Sequence, residues 1–235
     1  PLLAAARSTE MIELLVKANC DVNGVEEHGC PVLLRCCESG YLESVQTLVK
    51  RGARTGVVDQ NGNTAVHLAP NNETLHYLLD ELKLPLNVRN AHGETPLFVG
   101  ARSRDDEVMS TLLRRGLAVN ARAHDGRTPL LSAALFGTLE KCKLLLELKA
   151  DATAKSDDGR CALHFAVHNG WWGVVDIVCL LAQHNANVNH RDKRGRTPLH
   201  ECAHNPRAYS ALLKLGAEIS VDSSGELAML EWWID

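Results

Sequence analysis

The sequence predicts an all-α solenoid of helix–turn–helix units with hairpin-like tips, about seven repeats followed by a partial eighth. Three observations predict it. A glycine recurs at positions 29, 62, 93, 126, 159, 195 and 225, with intervals of 33, 31, 33, 33, 36 and 30 residues, and a period of that length marks stacked supersecondary units. The text after each glycine aligns, as in Gly93-Glu94-Thr95-Pro96-Leu97, Gly126-Arg127-Thr128-Pro129-Leu130 and Gly195-Arg196-Thr197-Pro198-Leu199-His200. A leucine-rich segment then closes each unit, among them Leu14-Leu15, Leu48-Val49, Leu112-Leu113, Leu144-Leu145-Leu146 and Leu212-Leu213.

Each element follows from local chemistry. Threonine before proline caps a helix with its hydroxyl, and proline in the first turn loses no hydrogen bond because that N–H has no helical partner. Small residues come next, at Ala5-Ala6, Cys36-Cys37, Gly100-Ala101, Ala133-Ala134 and Cys202-Ala203. They let the helices of neighbouring repeats approach, where larger side chains would force the stack apart. The second helix is expected to end at a Gly or Asn that accepts a left-handed backbone, and a hairpin-like tip leads to the next unit.

Thr-Pro-Leu-His after a tip glycine, a small pair, a second apolar helix and a Gly-Ala-x-x-Asn ending together resemble the ankyrin repeat. The endings stand as Asn19-Cys20-Asp21-Val22-Asn23, Gly52-Ala53-Arg54-Thr55-Gly56, Gly116-Leu117-Ala118-Val119-Asn120, Lys149-Ala150-Asp151-Ala152-Thr153, Asn185-Ala186-Asn187-Val188-Asn189 and Gly216-Ala217-Glu218-Ile219-Ser220. The resemblance covers the whole chain as one repeat domain, 1–235, with repeats at approximately 1–25, 26–58, 59–89, 90–122, 123–155, 156–191 and 192–221 and a partial one at 222–235. No repeat buries its apolar face alone, so stacking is obligatory and leaves a concave side for a ligand.

Spacing departs from the norm in three repeats. From tip glycine to ending the usual count is 27, but 62 to 87 and 195 to 220 give 25, which shortens the turns at Pro70-Asn71-Asn72 and His204-Asn205-Pro206. The count from 159 to 189 is 30, read as a lengthened second helix around Val175–Leu181. Trp232 and Trp233 stand where another repeat needs small residues, and are expected to cap the array or dock another domain.

Composition narrows the function classes. Hydrophobic residues make up 45% of the chain and aromatic ones 4%, so Leu, Ala and Val carry the burial, as in short, close-packed helices. A net charge of −4 argues against nucleic acid as main ligand. No stretch reaches the length of a membrane span. Eight cysteines without CxxC pairs or finger spacing read as reduced thiols, hence a cytoplasmic location with the nucleus as alternative. The missing initial Met points to a larger parent chain.

His200-Glu201-Cys202-Ala203-His204 is a literal HExxH, which on a helix sets two zinc ligands one turn apart beside a glutamate base. Against this, His200 closes Thr197-Pro198-Leu199-His200, where the family's histidine is structural, as at His67 and His164. A nucleophilic Cys202 flanked by His200 and His204 is outweighed by the small packing position it fills. No catalytic residue, metal or cofactor is therefore expected.

What remains is a partner surface. In this family ligands meet the tips and the exposed end of the first helix. Carried onto these residues, that gives Arg127, Arg160 and Arg196 as a ladder with steps on the order of 10 Å, extended by Lys193 and Arg194. Arg102, Leu135, Phe136, His168 and His204 stand at the far end of the first helix, with Trp171 and Trp172 just beyond. Arginines beside exposed aromatics are typical of interface hot spots. The competing reading pairs the arginines with Asp125, Asp157 and Asp158 and lays Trp171 over the sixth repeat's second helix. The partner expected is another protein or a linear peptide, acidic with apolar anchors, bound on repeats 4–7 by an adaptor or scaffold. The alternative is a regulatory or substrate-recruiting module of a larger enzyme, a ubiquitin-ligase component or a channel. The resemblance also makes Asn23, Asn87, Asn120 and Asn189 candidate sites of asparagine hydroxylation.

Overall fold

The computed structural model describes residues 7–25, 29–103, 106–136, 138–168, 173–202 and 205–228. Trp171, Trp172, Ala203, His204, Trp232 and Trp233 lie outside them. Every regular element among the described residues is helical, and the chain divides into two units, Pro1–Leu117 and Ala118–Asp235.

In the first unit the elements are α1 (Thr9–Lys17), α2 (Val32–Glu38), α3 (Leu42–Lys50), α4 (Ala65–Leu68), α5 (Asn72–His76), α6 (Pro96–Arg102) and α7 (Asp106–Arg114). First helices pack on first helices, α2 on α4 and α4 on α6. Their buried faces carry Leu33, Leu34, Cys36, Cys37, Leu97 and Phe98, and a Cβ at Gly100 would already stand in van der Waals contact with Met109 and Leu112 on α7.

The second unit holds α8 (Pro129–Leu135), α9 (Leu139–Glu147), α10 (Ala162–His168), α11 (Val174–Gln183), a 3₁₀ turn at Pro198–Cys202 and α12 (Pro206–Lys214). Here α10 packs between α8 and the 3₁₀ turn, while α11 packs between α9 and α12. The expected small pair Ala133-Ala134 is fully buried, as is Cys202.

The tips form as expected. All seven recurring glycines have positive φ, from +70° to +85°, where a side chain is strained. Antiparallel bridges Val25–Pro31, Lys155–Cys161 and Val221–Leu227 close three hairpins. Successive tips are also joined backbone to backbone, by Ala91 N–H to Asn61 O (2.8 Å), Asp157 N–H to Asp125 O (2.8 Å) and Lys193 N–H to Asp158 O (3.0 Å).

The anomalous counts resolve residue by residue. In the fifth repeat α9 begins 13 residues after its tip glycine and the ending follows at 27. In the third repeat Pro70 holds Ala69 extended (ψ 115°), so α4 stops after four residues and Asn71 caps α5, whose start moves forward to 10 after Gly62; a residue before proline is disfavoured in a helix. The helix thus begins three residues early while the repeat ends only two early. The surplus residue is taken up in a π-helical stretch, Tyr77–Glu81, whose turn accommodates one extra. In the seventh repeat α12 starts 11 after Gly195, capped by Asn205 and opened by Pro206, and no surplus remains.

The sixth repeat corrects an expectation. Its second helix, α11, starts 15 residues after Gly159, two later than α9, and has ten residues against nine. Two of the three extra residues therefore precede the helix and one lengthens it.

Candidate partner-binding face

The histidine of the Thr-Pro-Leu-His segment sets the register between neighbouring tips. Thr64 N–H donates to His67 Nδ1, so the Nε2–H donates onward, to Glu94 O at 3.1 Å. His164 and His200 repeat the arrangement toward Arg196 O (3.0 Å) and Glu226 O (3.3 Å). In each case the acceptor is the carbonyl of the residue just after the next tip glycine. These histidines therefore hold the backbone of the ladder positions. In the sixth repeat Cys161 replaces the capping threonine, with its N–H and Sγ at 3.3 and 3.2 Å from His164 Nδ1. Burial, the dominant cause, pushes His164 down to about 4 and His67 down as well.

His200 therefore has both ring nitrogens engaged, by Thr197 and by Glu226. The segment around it is 3₁₀ rather than α, where residues four apart do not align on one face. The Cys202 thiol is fully buried, donates to Pro198 O, and is pushed up to about 12 by burial and the neighbouring Glu201 charge. A thiolate nucleophile is not populated there near neutral pH.

Glu201, visible in the sequence only as the glutamate of the HExxH match, has a structural role that sequence reasoning missed. Its side chain is 5% exposed and lies between two rungs of the arginine ladder, with Oε2 3.2 Å from Arg160 Nη2 and Oε1 against Arg196 Nη2. His168 Nδ1 approaches the same carboxylate at 3.1 Å. Arg160 also stacks over the Phe165 ring at 4.7 Å, a favourable cation–π placement. Arg196 Nε is 3.7 Å from the buried Asp192 carboxylate. The signal was present in the chain: six residues after a tip glycine the second to sixth repeats carry Arg35, Leu68, Val99, Ser132 and Phe165, whereas the seventh puts a carboxylate there.

The remaining rungs differ. Arg127 pairs with Asp125 at 2.5 Å and keeps 21% exposure. Arg194 is exposed, its N–H bonded to Asp192. Leu135 is half-buried and Phe136 is 38% exposed beside it in the chain. In the first unit Arg102 is held within its own repeat: both terminal nitrogens meet the nearly buried Glu94 at 2.8 Å, a bidentate pair. Of the expected carboxylate partners for the ladder, Asp125 serves Arg127, whereas Asp157 meets Arg122 and Asp158 meets the Arg160 backbone. Burial, the largest single effect on the Asp158 carboxyl, raises it, but hydrogen bonds from Ser156 and the Arg160 N–H with the Arg160 charge together outweigh it and hold the group low.

Three of the four candidate asparagines staple one repeat ending to the next. Asn23 accepts from Arg54 N–H, Asn120 from Asp151 N–H and Asn189 from Glu218 N–H, each at 2.8 Å. Asn120 and Asn189 also donate, to Lys149 O and Gly216 O. Asn87 is exposed and makes no such bond among the described residues. Asn120→Ala is expected to cost about 1 kcal/mol, read as a lower urea midpoint, while Asn87→Ala leaves the midpoint in place.

Paired helices stacked through buried small residues, with hydrogen-bonded tips, define a helical-repeat protein of the interaction type. A family model for ankyrin repeats (three copies) matches residues 33–123, 71–156 and 130–223, and the chain belongs to the ankyrin repeat family. Ankyrin repeats are protein–protein interaction modules. The human ASB11 ankyrin repeat domain superposes with a TM-score of 0.75 over 94% of this chain and 99% of that one, at 23% identity, a likeness of fold. Among curated relatives, human transient receptor potential cation channel subfamily A member 1 is 30% identical over 119 residues, 47% of this chain and 11% of the channel. The phosphocholine transferase AnkX of Legionella pneumophila is 28% identical over 120 residues, 48% of this chain and 12% of the transferase. An Arabidopsis thaliana ADP-ribosylation factor GTPase-activating protein, AGD4, is 41% identical over 71 residues, 29% and 9% of the two chains. The chain spans about a tenth of the length of these relatives. Among the described residues no helix is long and apolar enough to cross a membrane.

Proposed function

We propose that this chain is a scaffold or adaptor module whose second unit holds an acidic, apolar-anchored protein segment along the tips and first helices of repeats five to seven. The observation that supports this most is the row Arg127, Arg160, Arg196 and Arg194, positioned by its own carboxylates, together with Phe136 exposed at the end of α8. A guanidinium has five donors, so an arginine already paired to one carboxylate retains N–H groups for another. Prepaired side chains also lose less rotamer freedom on binding. Arg160 and Arg196 serve chiefly to shape the face, whereas Arg127 and Arg194 meet the partner's carboxylates, and Leu135 and Phe136 its apolar anchor. Trp171, Trp172 and His204 belong to the same proposed face by sequence position.

The test uses an extended Glu- and Leu-containing peptide and fluorescence anisotropy. Arg127→Glu with Arg194→Glu is expected to weaken binding by roughly tenfold or more and to flatten its salt dependence, with the melting temperature unchanged. Unaltered affinity and salt dependence would overturn the reading.

A second reading makes the chain the regulatory or substrate-recruiting part of a larger enzyme, ubiquitin-ligase component or channel. It is favoured by relatives named as a channel, a GTPase-activating protein and a transferase, of which this stretch matches about a tenth. In either setting, hydroxylation of Asn23, Asn87, Asn120 or Asn189 would fall on a repeat ending, and in three of the four on a side chain that already bridges two repeats.

A further inference from the structure

A second surface lies on the outer helices of the same unit. Between α11 and α12 runs an open trough of about 470 Å³. Its apolar lining is Val175 and Cys179 from α11 with Ala211 from α12 and Leu215 at the C-terminal end of that helix. The cause is a pair of small residues. On α9 the outward stripe reads Glu140, Lys143, Glu147, and counted back from the helix end the matching residues are Asp176, Cys179, Gln183 on α11 and Arg207, Ser210, Lys214 on α12. Where α9 projects a long lysine, both walls of the trough carry a short side chain.

Arg207 and Lys214 line its α12 side and are both exposed. Seven residues apart on one stripe, they are separated by about 10 Å along the axis, two helical turns. The acidic residue of α11, Asp176, is not part of the lining. An apolar floor between two helices with cations along one wall fits one kind of occupant: an amphipathic helix laid lengthwise in the groove.

We propose that this trough docks an acidic amphipathic helix of a partner protein. Its leucine-type face sits over Val175, Cys179 and Ala211, and carboxylates seven residues apart meet Arg207 and Lys214. This surface is distinct from the arginine row at the tips, so one partner can use both or two partners one each.

Cys179 supplies a site-resolved readout, since it is half-buried in the trough while Cys20 and Cys30, equally half-buried, lie in the first unit. The experiment follows alkylation of each cysteine by N-ethylmaleimide, by peptide mass mapping of the whole chain. The probe is a helical peptide of about 15 residues, four turns, with leucines on one face and flanking glutamates, and the control carries lysines for those glutamates. The glutamate peptide is expected to slow alkylation of Cys179 severalfold and leave Cys20 and Cys30 unchanged. Arg207→Glu with Lys214→Glu should raise about tenfold the concentration of glutamate peptide needed for that protection and transfer it to the lysine peptide. Ser210→Arg, which fills the trough from an exposed position, should abolish it. Arg127→Glu with Arg194→Glu should have no effect on it. Equal protection by both peptides, protection that survives Ser210→Arg, or absent protection with a folded chain at millimolar peptide overturns the proposal.

Discussion

Replacing Glu201 by alanine is expected to destabilise the second unit by about 3 kcal/mol, because it leaves two largely buried guanidiniums without their common counter-charge. Arg160 and Arg196 are 17% and 29% exposed, and the Nε of each already lacks a hydrogen-bond partner among the described residues. Removing the carboxylate strips each of its principal acceptor, and the desolvation already incurred is no longer offset. Glu201→Gln keeps the shape and one acceptor oxygen, and so should cost less than alanine. Both effects should shrink when Arg160 and Arg196 are replaced as well, since a cycle of this kind separates pair energy from packing. All four tryptophans lie beyond residue 117, so urea unfolding followed by tryptophan fluorescence reports the second unit. A Glu201→Ala midpoint equal to that of the unaltered protein would show that the carboxylate does not hold the two repeats together.

The second large effect is a loss of stability on mild acidification, carried by His164. In the folded chain the ring is fully buried and neutral, with Nδ1 accepting from Cys161 N–H and Nε2–H donating to Arg196 O. A proton on Nδ1 would face another donor. The group titrates at about 4 when folded and 6.5 when not, so the unfolded chain binds more protons between these values. Its contribution is present above pH 6.5 and is lost as the pH falls toward 4, about 3 kcal/mol in full and about 2 kcal/mol by pH 5. His67, also depressed by burial, acts in the same direction in the first unit. His164→Leu, the residue type found at the corresponding Leu131, should lower stability at pH 7 by the lost inter-repeat bond and flatten the dependence between pH 7 and 5. An undiminished pH slope in that variant would place the titration elsewhere.

Much of this architecture was legible in the chain. Tip glycines, helix starts and small pairs each have a local physical cause, and they appear at the expected residues, as at Gly126, Thr128 and Ala133-Ala134. The spacing anomalies were legible as counts but not as structures. Fewer residues between tip and ending could mean a shorter turn, a shorter helix or a change of helix type, and the third repeat combines all three through Pro70 and the π stretch at Tyr77–Glu81. The candidate face was read in part. Its arginines were visible because they follow each tip glycine, but their partners depend on which positions of adjacent repeats meet. Glu201 serves Arg160 across 41 residues, and Glu94 holds Arg102 in a bidentate pair within one repeat. Neither pairing follows from a motif confined to one segment.

The proposed function places a protein partner on the tips and first helices of the second unit. Site-specific photocrosslinking in cells tests it most directly, with a benzophenone side chain at Phe136 of the full chain and, as comparison, at Lys143 on the outward stripe of α9. A discrete crosslinked partner is expected from position 136, and it should disappear with Arg127→Glu and Arg194→Glu. A partner captured from position 143 and not from 136, or capture at 136 that is indifferent to those charge reversals, would contradict it.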